Sequence, residues 1–131
     1  MIVNLTQHPA TPEQRAAGVV DLAGVELNSL KKALTFETLP TEQEILDRAE
    51  YIAALAEMNG LGDDNGEDPI PNIAMIGGAL WLMTPLAAEL RARYITPVFA
   101  FSVRETEEQS LPDGSVRKIA VFKHVGFVPA I

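Results

Sequence analysis

Residues 73–103 read IAMIGGALWLMTPLAAELRARYITPVFAFSV, and the fold follows from how that stretch divides. Ile73-Ala74-Met75-Ile76 is a continuous apolar run of strand length, stopped at once by Gly77-Gly78. A helix is predicted from there to Arg93, with Pro85 either kinking it or marking a restart capped by Thr84. Tyr94-Ile95 then turns the chain into a second strand, Thr96 to Val103. Strand, crossover helix and strand make the repeating unit of a parallel sheet with helices packed on its faces. The glycine pair falls between strand and helix, where a backbone can approach a ligand and where a helix N-terminus favours an anion. Gly-Gly is not the fuller GxGxxG pattern, so tight strand-to-helix packing accounts for it equally well.

Downstream, a charged segment from Arg104 to Gln109 leads to a Pro112-Asp113-Gly114 turn and a second alternating strand, Ser115 to His124. That is a hairpin, so one edge of the sheet is antiparallel. Upstream, Met1 to Leu5 reads as a first strand interrupted by Asn4, followed by a loop from Thr6 to Ala10. Thr11 can cap a short helix with Pro12 at its first position and Gln14 as the return partner of a capping box. Val19 to Leu22 is a brief strand. Val25 to Leu34 is helical, with Leu27, Leu30 and Leu34 at the right spacing. After the break at Pro40, Thr41 and Glu44 form a second capping box. The long helix it opens runs to Met58, with Ile45, Ala49, Ile52, Ala53 and Ala56 as its apolar stripe. Strands alternating with helices make this a single α/β domain over residues 1–131, a mainly parallel sheet with helices on both faces and a C-terminal antiparallel hairpin.

The chain is 47% hydrophobic over 131 residues, which suits a globular domain with a real core. It has no cysteine, which excludes disulfides, zinc-thiolate sites and a Cys nucleophile. No basic segment followed by an apolar one opens it, and no apolar run approaches the ~20 residues of a membrane span, so a cytoplasmic location is expected. Net charge is −8, unevenly placed: residues 1–95 hold six Lys/Arg against fourteen Asp/Glu, and residues 96–131 hold four of each. Such a chain is a poor binder of long nucleic acid, whose phosphates demand Lys and Arg. A small anion can still be held locally by the C-terminal cations.

Two metal readings fail on spacing. The acidic stretch from Gly60 to Pro71 is not an EF-hand loop: with Gly66 as the loop glycine, the first ligand position falls on Leu61 and the last on Asn72. His8 and His124 are far apart, with no HxH or HxxxH pattern. No nucleophile elbow is present, which disfavours acyl transfer. In open α/β sheets the ligand crevice lies beyond the carboxyl ends of the parallel strands. Three segments qualify: Thr6 to Thr11, Gly77-Gly78, and Ser102 to Glu107. Together they offer the hydroxyls of Thr6 and Ser102, the His8 imidazole, glycine N–H groups and the Arg104 guanidinium, a set that suits a phosphodiester. Each has a plainer reading. His8 can serve a turn before Pro9, Gln14 the capping box, and His124 the sheet. Arg104 and Lys118 can pair with Glu105, Glu107 or Glu108.

A family pattern runs through these residues. Ser102-Val103-Arg104 with Glu107, then Leu111-Pro112-Asp113-Gly114-Ser115-Val116-Arg117-Lys118, then Val121-Phe122-Lys123-His124-Val125-Gly126-Phe127 resembles the C-terminal segment of small stand-alone CARF proteins. These are CRISPR-associated Rossmann-fold proteins of the single-domain ring-nuclease type. Asn4-Leu5-Thr6-x-His8 and Thr11-x-x-Gln14 resemble their first-strand end and helix start, and Gly77-Gly78 falls where they place a glycine-bearing turn. The middle of the chain matches in layout, and its acidity departs from what a nucleotide binder would show.

The resemblance implies a CARF-like Rossmann sheet working as a homodimer, with a cyclic oligoadenylate, most often the tetra-adenylate, across the two-fold axis. It implies cleavage without metal or cofactor, switching off type III CRISPR signalling. Arg104 and Lys118 would stabilise phosphate charge, and His8, or next His124, would transfer the proton. Asn4, Thr6, Thr11, Gln14, Gly77, Gly78, Ser102 and Glu107 would bind the ligand. Two alternatives stay open: a sensor or sponge of the same fold that binds without cutting, and a small α/β protein-interaction module.

Overall fold

The computed structural model describes residues 1–59 and 72–131; the acidic stretch from Gly60 to Pro71 lies outside them. The elements are β1 (Ile2–Asn4), α1 (Pro12–Ala16), β2 (Val19–Asp21), α2 (Gly24–Leu34), α3 (Glu42–Met58), β3 (Ile73–Met75), α4 (Leu80–Ala92), β4 (Thr96–Ser110) and β5 (Val116–Pro129). The chain is α/β, with a five-stranded mixed sheet in the order β2-β1-β3-β4-β5. The first four strands are parallel and β5 is antiparallel to β4.

Side-chain alternation divides the sheet into two unequal faces. Val3, Leu5, Ala74 and Ile76 point to the main core, where they meet Leu30 and Leu34 of α2, Ile52 and Ala53 of α3, and Leu82, Leu86 and Leu90 of α4. Leu5, Leu30, Ile52, Leu82, Leu86, Leu90 and Ile95 are fully buried, each contributing about 2 kcal/mol of hydrophobic stabilisation. Ile2, Val19, Met75 and Val98 point the other way and cluster with Ala10. Helices α2, α3 and α4 thus pack on one face, while α1, five residues with none buried, contributes to neither cluster.

Thr11 and Gln14 close a complete capping box. Thr41 caps α3 by accepting from the Glu44 N–H, but the expected second capping box is only half formed, because the Glu44 carboxylate receives Arg48 at 2.6 Å instead of returning to Thr41. Pro85 is carried inside a single helix α4, so no restart occurs at Thr84. That helix ends with Tyr94 at φ 61. The N–H of Ile95 donates to the Leu90 carbonyl at 2.9 Å and that of Tyr94 to Arg91 at 3.0 Å, the paired bonds of a Schellman stop with tyrosine in the place glycine favours.

The hairpin is longer than the pattern suggests. The charged segment from Arg104 to Gln109 is itself strand, because both faces of a two-stranded ribbon meet water and no apolar alternation is required of it. β3 ends at Met75, whose partner is Val98, so β4 and β5 beyond that level have only each other. From Phe101 to Ser110 they form an arm that reaches about 30 Å past the carboxyl edge of the sheet. A bulge sits at its root: Phe101 pairs with Gly126 and Ser102 with His124, leaving Val125 as the extra residue.

Candidate functional site

From β1 the chain crosses to β2 on one side, and from β3 to β4 on the other. Strands β1 and β3 are neighbours, so a crevice opens between their carboxyl ends. A cleft of about 390 Å³ occupies that place, lined by Thr6, Gln7, His8, Pro9, Thr11, Gln14, Met75, Gly77 and Gly78.

One wall is the loop from Thr6 to Ala10, held by the buried side chain of Asn4. Its Nδ2 donates to the His8 carbonyl and to Asp21 Oδ1, both at 2.8 Å. Its Oδ1 accepts the Thr6 N–H at 2.9 Å and the Thr6 hydroxyl at 2.7 Å. Asp21 also takes the Ala10 N–H at 3.0 Å. Asn4 therefore has its donors and acceptor engaged inside the protein. Its contribution is to fix Thr6 and the backbone of His8, two residues that line the cleft. In the capping box Gln14 Oε1 accepts the Thr11 N–H at 3.0 Å, and Thr11 Oγ1 accepts the Gln14 N–H at 3.2 Å. This leaves the Gln14 amide N–H and the Thr11 hydroxyl hydrogen as donors to a ligand.

The opposite wall is Gly77-Gly78. A Cβ on Gly77 would lie 3.3 Å from the Thr6 methyl group, and Gly78 has φ +150, a conformation L side chains rarely adopt. Among the described residues, no hydrogen bond occupies the N–H of either glycine. Helix α4 follows directly and has no side-chain cap. Two unengaged amides and an uncapped helix N-terminus make this wall suited to an anion.

The remaining sequence-derived residues stand on the arm and do not line this cleft. The register places Ser102 with His124, Arg104 with Phe122, and Glu108 with Lys118 on one face. Ser102, Arg104, Lys118 and His124 thus share a face, the one that continues Met75, Val98 and Phe127. Glu107 lies on the opposite face, with Glu105 and Lys123, which form an ion pair at 3.8 Å. His124 is half-buried against Phe127, ring centroids 4.9 Å apart, and its buried Nδ1 has no hydrogen-bond partner among the described residues. Strand spacing and rise put the His124 backbone about 12 Å from that of Gly77, and His124 is not part of the cleft lining.

Two further features emerge from the structure. Lys31 of α2 borders a smaller recess on the other side of the loop, shared with Asn4, Thr6, His8 and Asp21. Its place next to the Leu27–Leu30–Leu34 stripe was the available signal, since such a position flanks the core. Phe122 is 78% exposed directly opposite Arg104. A larger depression of about 490 Å³, lined by Lys31, Lys32, Thr35, Glu37, Thr38 and Arg48, lies along α2 and α3. Its Arg48 stacks on Phe36 at 4.2 Å and donates to the Thr35 carbonyl and to Glu44. That arginine is committed to closing the end of α2, so the cleft at the strand ends is the better candidate.

Comparison with known proteins places the chain in a family. It belongs to the Uncharacterized protein MJ1673 family, whose model matches residues 1–128, a span that includes both walls of the cleft and the arm. No curated protein and no solved structure matches it. No helix among the described residues is long and apolar enough to cross a membrane.

Proposed function

We propose that the cleft between β1 and β3 binds a cyclic oligoadenylate, with the tetra-adenylate the first ring size to try, and that the protein cleaves it as a metal-independent ring nuclease on a CARF-like Rossmann sheet. The observation that carries this reading is the position and lining of the cleft. It sits at the crossover point of the sheet, with unengaged Gly77 and Gly78 amides on one side and Thr6, His8, Thr11 and Gln14 on the other. Its volume falls in the usual range of ~300–1,000 Å³ for a small-molecule site. It suits part of a nucleotide ring rather than all of one, which favours a homodimer with the ring shared between two clefts.

The chemistry needs no cofactor. A ribose 2′-hydroxyl attacks the adjacent phosphorus, the bond to the 5′-oxygen breaks, and the products are a 2′,3′-cyclic phosphate and a 5′-hydroxyl. His8 takes the 2′ proton, and the leaving 5′-oxygen is protonated by water or by His124 of a second copy. The glycine amides stabilise the charge that grows on the phosphoryl oxygens, with Arg104 and Lys118 joining them only from the arm of a second copy, while Thr6, Thr11 and Gln14 hold the ring in line from the cleft and Ser102 from that arm. Replacing His8 with Ala is expected to lower turnover about 100-fold or more with binding within threefold. An Arg104→Ala protein that cleaves normally would remove Arg104 from the mechanism.

One observation favours a second reading. Within a single chain the cleft holds binding groups, whereas Arg104, Lys118 and His124 stand on the arm outside it. A protein that sequesters or senses the nucleotide without cutting it needs only the cleft.

A further inference from the structure

Among the described residues the two strands of the arm pair only with each other, and a long two-stranded ribbon is marginal in water. We propose that it is an exchange arm: in a two-fold dimer, each copy lays the face carrying Arg104, Phe122 and His124 over the cleft of the other, so that the site is completed in trans.

Four observations support this. First, the arm leaves the sheet at the carboxyl edge, the edge at which the cleft opens. Second, its two faces differ. On one face the apolar residues Val103, Ile119 and Val121 are half-buried. On the other, Phe122 is 78% exposed and sits opposite Arg104, with Val116 59% exposed further out. An exposed aromatic beside an arginine is the composition of an interface anchor, and no described residue covers it.

Third, at about 30 Å the extended ribbon points away from its own cleft, so it reaches the cleft of a second copy more readily than its own. Fourth, the size is right. Ten residues on the arm face and nine lining the cleft approach the roughly 20–30 residues that each side of a stable interface contributes. Pairing through the outer edge of β5 is the weaker arrangement, because the Val125 bulge, Lys118, Lys123 and Pro129 are the features that protect an edge.

The inference shares the cleft with the proposed function but does not need the nucleotide, and its test contains none. The chain has no cysteine, so two single-cysteine proteins can be made with different tags, one carrying Phe122→Cys and the other Gln14→Cys. They are mixed, dissociated, re-associated and treated with a short bismaleimide linker. The expected product is a covalent heterodimer. A control pair, Phe122→Cys with Glu26→Cys, should give at least tenfold less.

In parallel, sedimentation of the Phe122→Glu protein should show the dimer weakened at least tenfold. Its circular dichroism should be unchanged, since the side chain is exposed. A chain that sediments as a monomer at all accessible concentrations overturns the proposal. So does a dimer in which Phe122 and Gln14 do not cross-link, or one indifferent to Phe122→Glu. A positive cross-link with no nucleotide cleavage leaves the exchange standing and removes the nuclease.

Discussion

Asn4 and Asp21 face each other across the β1–β2 pair, and the Asn4 amide donates to the Asp21 carboxylate at 2.8 Å. The same amide group holds the Thr6 N–H and the His8 carbonyl, so this one contact joins two strand ends to the wall of the cleft. Asn4→Ala strands several buried polar groups at once. The expected loss is about 2 kcal/mol, read from urea unfolding, together with weaker ligand binding because Thr6 and His8 lose their anchor. A change under half that size would mean that the loop holds itself.

The two glycines of the opposite wall should fail differently. At Gly78 the positive φ makes Gly78→Ala costly for the fold, by about 1–2 kcal/mol. At Gly77 the added methyl meets Thr6 at 3.3 Å and intrudes on the cleft. Gly77→Ala is therefore expected to keep most of its stability while losing at least tenfold in ligand affinity. Unfolding and titration on the same two proteins separate the effects.

Helix α4 ends on a residue poorly suited to its conformation. Tyr94 holds φ 61 with a side chain 89% exposed, so its ring contributes little to offset the strain. Tyr94→Gly should raise stability by about 1 kcal/mol, measured as a higher denaturation midpoint with an unchanged slope.

The tip of the arm carries a pH response. Asp113 accepts the Ser115 hydroxyl at 2.5 Å and the Ser115 N–H at 2.9 Å, and these bonds hold its carboxyl below the ordinary value. A folded-state pKa below the unfolded one gives a contribution present above the unfolded value and lost as pH falls through the folded one. The turn should therefore stay closed at neutral pH and loosen as pH falls through that lowered value. The Ser115 amide resonance, followed on lowering pH, should report a midpoint below that of a free aspartate. In Ser115→Ala the midpoint should move upward.

Much of this fold is written locally. Thr11-Pro12-x-Gln14 formed its capping box, Ile73-Ala74-Met75 its strand, and Pro112-Asp113-Gly114 its turn, because each depends on near neighbours. Strand ends are less visible. The Arg104–Gln109 run reads only as a charged segment between two strands, since a solvated ribbon has no buried face to impose alternation. Thr6, His8 and the glycines could be grouped from the rule that ligands sit at strand ends. The engagement of Asn4 could not, because its partner Asp21 comes from another strand. Lys31 and Phe122 escaped for a similar reason: one is set by how α2 packs on the sheet, the other by the register of β4 on β5.

The central claim is tested most directly by incubating the purified protein with radiolabelled cyclic tetra-adenylate in EDTA, resolving the products and following binding in parallel. The account predicts linear products ending in 2′,3′-cyclic phosphate, formed at a rate unaffected by the chelator and abolished in the His8→Ala protein. Binding without products would leave a nucleotide sponge or sensor. Neither binding nor cleavage, with the tri- and hexa-adenylate rings also tried, would contradict the claim and leave the cleft without its ligand.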